Sequence, residues 1–448
     1  MANANRAALV EGPVGRTLVQ LTWPMIVGHL GMVAFNLADT FYVGRLGTRE
    51  LAAMSFTFPV VMAVSSLAIG LGIGTAAVVS RAIGEGDEHK VRRLTTDSLV
   101  LALILVAAFV GLGILSIDPV FRLLGAKPDL LPLVKEYMRI WYLGMIFVVV
   151  PMVGNNAIRA TGDTKTPTAI MLVAVLINVI LDPLLIFGPG PFPRLELAGA
   201  AAATVVSRAT TFVVAIWVLG RRERMLTTRF ESVRAVLHSW GKILFIGLPS
   251  AATRMIVPIG IGIITRIVSA YGAEAVAAYG VASRIEFFAL MVLMSLGAVF
   301  APFTGQNWGA GRLDRVKLGM RLSQRFSLLF GLGAFIVLAA AAHPVAGFFT
   351  RNPDVIAAIK LYLRIVPLAY GLQGILVVAG AALNALNKPL PAAGLVLAQM
   401  IVVYVPLAYL GSSLFGLAGV FMALGLVYAL GGIAGHFLIG KILRATEG

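Results

Sequence analysis

Asp39, in FNLADTFYVG, and Asp182, in NVILDPLLIFG, are carboxylates set inside long apolar runs. A charged side chain at mid-bilayer costs about 2.5–3.5 kcal/mol on insertion scales, so such a residue is retained for function by default. On a helix, Phe35, Asn36 and Met32 share the face of Asp39, and Asn178 sits one turn before Asp182. A desolvated carboxyl with an amide neighbour suits cation coupling: it can take a proton, or exchange it for a cationic substrate. Pro183 follows Asp182 and removes a backbone donor, so a bend is expected there. Asp39 is also close to Gly44, where its apolar run ends, which leaves open a wetted group at shallow depth.

Other polar residues in apolar runs read differently. Glu286 is expected to pair with an arginine on a neighbouring helix, a transport role being the alternative, and Arg208 and Arg254 to pair likewise or to snorkel. Asn155 and Asn156 either line a cleft or bond the next helix. Pro24 stands about four turns before Asp39. It is either a hinge answering to Asp39 or a proline tolerated in the first turns of a helix. Nothing resembles a catalytic constellation. There is no cysteine, no HExxH among the scattered histidines, no GxxxxGK[ST] loop and no GxSxG elbow. Neither an enzyme, a metal site nor a bound cofactor is expected.

The elements that must hold these residues are set by composition. Of the 448 residues 59% are apolar and 12% charged, against about 25% charged in soluble domains. Only a lipid solvent makes that composition reasonable. Twelve spans are expected, near 17–44, 51–80, 95–117, 137–158, 167–188, 197–219, 243–270, 276–304, 326–349, 362–384, 390–411 and 417–439. The net charge of +16 sits in short clusters between apolar runs, densest in RRERMLTTRFESVR. That placement argues against nucleic acid and, by the positive-inside rule, puts both termini in the cytoplasm. The opening MANANRAALVEGPVGR has no apolar core ahead of a cleavage site and is not expected to be a signal peptide.

Shifted by 225 residues, the chain meets itself. Pro24 falls on Pro249, Gly47 on Gly272, and Gly84 and Gly86 on Gly309 and Gly311. Pro119-Val120 meets Pro344-Val345, Pro128-Asp129 meets Pro353-Asp354, Tyr137 meets Tyr362, and Arg139-Ile140 meets Arg364-Ile365. Matches of Pro, Gly, Asp, Tyr and Arg in one gap-free frame mark a duplication. Six spans per copy give two parallel repeats, an architecture of transporters with a cleft between two bundles. The expected fold is therefore all-α, with an N-terminal six-helix bundle over 1–220, a basic linker over 221–242 and a C-terminal six-helix bundle over 243–448, related by a pseudo-two-fold. Asp39 corresponds to Ile264 and Asp182 to the apolar stretch around Leu407. Carboxylates kept in one copy alone favour a specialised site in the N-terminal bundle.

The segments LTWPMIVGHLGMVAFNLADTFYVGRLGTRELAAMSF, IRATGDTKTPTAIMLVAVLINVILDPLLIFG and GAALNALNKPLPAA resemble the multidrug and toxic compound extrusion (MATE) family. The resemblance covers essentially the whole chain, and the DinF-like branch looks closest. It implies a proton-coupled site at Asp39, Asn178, Asp182 and Thr204, a first span bent by Pro24, and Asn155 lining the cleft. Phe35 departs from the pattern, where some members have Tyr. The acidic positions of the sodium-coupled branch fall near Val257 and on Gln373, so coupling through the C-terminal bundle is not expected.

The expected activity is efflux of amphiphilic, often cationic, organic compounds in exchange for protons, by alternating access in the inner membrane, with one chain sufficient as a monomer. Sodium at the N-terminal site is the alternative coupling ion. The alternative function is a flippase for a lipid or lipid-linked glycan, which would need Arg208, Arg254, Arg266 and Arg284 to converge.

Overall fold

The structure, a computed structural model, describes residues 9–126, 128–229 and 231–445. The extreme termini, whose cytoplasmic placement the charge pattern predicts, lie outside these. Among the described residues there is no strand. The first repeat contains α1 (Val14–Gly44), α2 (Thr48–Gly84), α3 (Glu88–Leu123), α4 (Leu131–Gly144), α5 (Ile146–Ala160), α6 (Lys165–Phe187) and α7 (Glu196–Trp217). The second contains α8 (Val233–Ser269), α9 (Ala273–Gly309), α10 (Leu313–Ala340), α11 (Ala342–Phe349), α12 (Pro353–Ile365), α13 (Tyr370–Ala385), α14 (Pro389–Leu397) and α15 (Val405–Ala445).

Among the described residues ten helical segments are long and apolar enough to cross a bilayer, and α4 with α5, bent by 41°, makes an eleventh. The segment Pro389–Ala445 has 57 residues, roughly 85 Å of helix, far more than one crossing of about 30 Å requires. It breaks at Gly416, whose φ of 61° and ψ of −142° leave helical space. Counted as two crossings, it completes the twelve.

The duplication is plainest in one pair of helices. Adding 225 to the bounds of α2 gives Ala273–Gly309, the bounds of α9. The turns behave alike: Gly86 after α2 and Gly311 after α9 have φ of 75° and 71°, a left-handed corner that glycine accepts without a Cβ penalty.

The chain forms two compact units. One comprises Met1–Thr22 with Ala252–Gly448, the other Trp23–Ala251. The sequence reading places its divide in the 221–242 linker; compactness places it inside α1 and α8. The opening turns of α1 pack within the first unit, with Gly15 facing Leu322 of α10. The opening turns of α8 pack within the second, where Gly70 and Gly74 of α2 admit the backbone at Gly247 and Ile243. Small residues let helices approach closely where lipid supplies no hydrophobic drive between them. Each unit has its own apolar core. Large side chains such as Leu115, Leu123, Leu329 and Phe348 are more than two-thirds exposed, as expected of surface wetted by lipid.

Candidate functional site

Helix α1 buries one stripe: Val14, Leu18, Thr22, Met25, Gly28, Gly31, Phe35, Asp39 and Val43. The steps of three and four are those of a single helical face. That face meets α6. A Cβ on Gly28 would lie 3.2 Å from Thr168 Oγ1, and one on Gly31 would lie 2.9 Å from Leu172. The Thr168 hydroxyl donates to the Pro24 carbonyl at 2.9 Å. Helix α6 in turn buries Ile170, Ala174, Asn178, Asp182 and Ile186. The two helices run parallel by topology, so the seam that begins at Pro24 and Thr168 reaches Asp39 and Asp182 at its far end.

Asp182 and Asn178 are fully buried, and Asp39 is 8% exposed. The reading of Asp39 as a wetted group is thereby set aside. Asn178 Nδ2 donates to Asp182 Oδ1 at 3.1 Å. The other oxygen of Asp182, the Asn178 Oδ1 and one oxygen of Asp39 are buried without a hydrogen-bond partner. The two carboxyls lie within electrostatic reach of each other. Helix α6 continues unbroken past Pro183 to Phe187, where Gly188 caps it in the left-handed region at φ 64°.

Tyr137 of α4, 5% exposed, lies within electrostatic reach of both aspartates. Reading the sequence misses it as a site residue, although Tyr137 is paired there with Tyr362 as a repeat mate. Thr204 on α7 is half-buried; its backbone carbonyl accepts from Ser207 Oγ at 2.9 Å, and no bond from its hydroxyl to either aspartate occurs among the described residues. One turn on, the Arg208 guanidinium lies over the Phe35 ring, 4.6 Å from its centroid. Arg208 thus finds a π face rather than an acid.

The remaining expected cleft residues divide. Met32 and Asn36 are exposed, on the margin of the α1 stripe. Asn156 donates to the Met152 carbonyl at 2.8 Å and presses on Gly72 of α2, where a Cβ would come 2.3 Å from its Nδ2. It therefore sits in the α2–α5 packing seam. Asn155 is half-buried and its Oδ1 has no partner.

Glu286 requires a correction. No arginine pairs with it among the described residues; instead three tyrosines converge on its carboxyl. Tyr428 Oη donates to Oε1 at 2.6 Å, and the hydroxyls of Tyr362 and Tyr370 donate to Oε2. Phenolic donors satisfy a buried carboxyl without burying a second charge. Tyr362 thus bonds a carboxyl in the second repeat, while its mate Tyr137 lies only within electrostatic reach of two in the first, and the acids themselves lie at unrelated positions. Gln373 accepts from Gln399 Nε2 at 2.7 Å, a neutral pair. No group of three or more acidic or histidine side chains able to hold a metal ion occurs among the described residues.

Comparison with known proteins accords with this architecture. The MatE family profile matches twice, over residues 24–184 and 249–410, one match per repeat. An FAD transporter of Shewanella oneidensis is 40% identical over 443 residues, covering 99% of this chain and 98% of that protein. A probable multidrug resistance protein of Bacillus subtilis, YoeA, is 28% identical over 367 residues, covering 81% and 79% respectively. The Vibrio cholerae MATE transporter VcmN in its bent form superposes with a TM-score of 0.91 at 29% identity, covering 96% of this chain and 97% of that one. The chain belongs to the MatE family, the multidrug and toxic compound extrusion transporters, and is a membrane transporter rather than an enzyme.

Proposed function

We propose that the protein is a secondary antiporter that expels amphiphilic organic compounds as protons enter, with Asp39 and Asp182 as the coupling pair. One observation carries this reading: two neighbouring carboxyls are buried in an apolar bundle, each with an oxygen lacking a partner, and neither has an ion-pair partner among the described residues. An uncompensated buried charge is expensive, and two are mutually repulsive. Taking up a proton removes one charge; releasing it restores the charge. Asn178 holds Asp182 in place through that cycle, and Thr204 and Tyr137 stand by as further polar groups. Pro24 cannot donate to the Gln20 carbonyl, so α1 can yield there as the pair changes charge. Both termini are placed in the cytoplasm, the membrane is the inner one, and the working unit is the monomer.

The test is reconstitution into liposomes with a cationic dye. Imposing a proton gradient is expected to drive efflux and a sodium gradient is not. Asp39→Asn and Asp182→Asn are expected to insert normally and to lose proton-driven efflux by at least about tenfold, the factor matching 1.4 kcal/mol. Wild-type efflux from either variant would remove the pair from the mechanism.

A second reading of the cargo is favoured by the 40% identical FAD transporter. FAD is amphiphilic, with planar ring systems joined through a diphosphate. An anionic cargo cannot replace a proton on a carboxylate, so coupling would then run through repacking of α1. Labelled FAD in the same liposomes separates the readings. Transport of FAD with no competition between dye and protons at the aspartates supports the second.

A further inference from the structure

Each repeat carries a groove at a corresponding place, but the rim of the second is more basic. In the first repeat a groove lies between α3, α5 and α7, lined by Thr96, Val100, Leu103, Val150 and Phe212. In the second a groove of about 410 Å³ lies between α10, α13 and α15, lined by Arg321, Arg325, Leu328, Ile375 and Phe437. Arg321, Arg325, Leu328 and Ile375 lie 225 positions after Thr96, Val100, Leu103 and Val150, their counterparts in the first. The linker runs along the first groove: Leu226, Thr227, Thr228 and Arg229 line it, and the Thr227 amide donates to Thr96 Oγ1 at 3.0 Å. Among the described residues no linker segment lines the second groove. There Thr96 is replaced by Arg321 and Val100 by Arg325, with His436 and Gln324 in contact at 3.1 Å beside them.

Arg321 and Arg325 are one turn apart on α10, exposed, and without an acidic partner among the described residues. Below them the floor is apolar, and it ends in Ile433 and Phe437, 45% and 65% exposed. Gly432 makes the floor deep: a Cβ there would come 2.3 Å from the Leu372 carbonyl, so α13 and α15 touch through backbone. Cationic side chains above an apolar trough match a phosphate joined to an acyl chain. With the orientation proposed above, the mouth faces the cytoplasmic leaflet, where anionic lipids collect and basic pockets between spans take their head groups. We infer that this groove binds one anionic phospholipid, its phosphate between Arg321 and Arg325 and an acyl chain along Leu328, Ile375 and Phe437. Its failure would leave the coupling pair untouched, since none of these residues belongs to that site.

The experiment is native mass spectrometry of the full chain titrated with phosphatidylglycerol or phosphatidylcholine. Wild type is expected to retain one phosphatidylglycerol in preference to phosphatidylcholine. The double variant Arg321→Thr/Arg325→Val, which installs the residues of the first repeat, is expected to lose that preference by about thirtyfold, and each single variant by about fivefold. Arg351→Thr/Arg364→Val removes the same charge elsewhere in the same unit and is expected to change nothing. Retained dye efflux reports that the variants fold, and the single variants are read if the double one does not. Equal phosphatidylglycerol binding by wild type and the double variant overturns the inference. So does equal binding of glycerol phosphate alone, which would make the ligand a free phosphate.

Discussion

At the scale of single residues, the molecule treats the acids deep in its apolar spans in two ways. Asp39 and Asp182 keep oxygens without partners, whereas Glu286 has donors from three tyrosines. The first arrangement is poised for change and the second is saturated. A buried donor left without an acceptor costs about 1–3 kcal/mol. Glu286→Leu would strand three hydroxyls and is expected to lower the melting temperature in detergent by several degrees or to prevent accumulation. Glu286→Gln keeps an acceptor oxygen and is expected to melt close to wild type and to retain efflux. Equal melting of the Leu variant and wild type would show that the tyrosines find other partners at no cost. Loss of efflux from a normally melting Gln variant would give the acid a transport role instead.

At the scale of elements, the α1–α6 seam joins the proline to the carboxyl pair. The Thr168 hydroxyl holds the Pro24 carbonyl, and Gly28 and Gly31 keep the helices close enough for that bond. Pro24→Ala would return a donor to the Gln20 carbonyl and stiffen α1; Thr168→Val would release the strap. Each is expected to slow efflux several-fold while the protein still inserts. Interhelical hydrogen bonds in membranes average about 0.6 kcal/mol, so folding should tolerate the loss. Because both substitutions act on one device, the double variant is expected to be no slower than the worse single one. Multiplying effects would mean that proline and threonine act separately.

At the scale of the whole molecule, the even number of spans per repeat fixes the orientation of every loop once one is known. The chain has no cysteine, so single cysteines can report loop sidedness without background. A cysteine at Arg224 in the linker is expected to react with an impermeant maleimide only after the membrane is opened. One at Gly190, between α6 and α7, is expected to react in intact cells. The reverse pattern would invert the proposed orientation and with it the leaflet assigned to the Arg321–Arg325 groove.

The sequence alone determined the span count, the frame of the duplication and the lone carboxyls. These depend on properties local to the chain: the length of an apolar run, the identity of a turn glycine, the cost of a charge in hydrocarbon. It also placed Asn178 beside Asp182, because residues four apart on a helix must meet. It could not bring Tyr137 to the aspartates, Arg208 onto Phe35, or three tyrosines to Glu286. Those partners lie on other helices, and helical period fixes which face a residue occupies but not which helix will cover that face. That choice is made where small residues such as Gly28, Gly31 and Gly432 let backbones touch, and only packing decides which of many possible close approaches is taken.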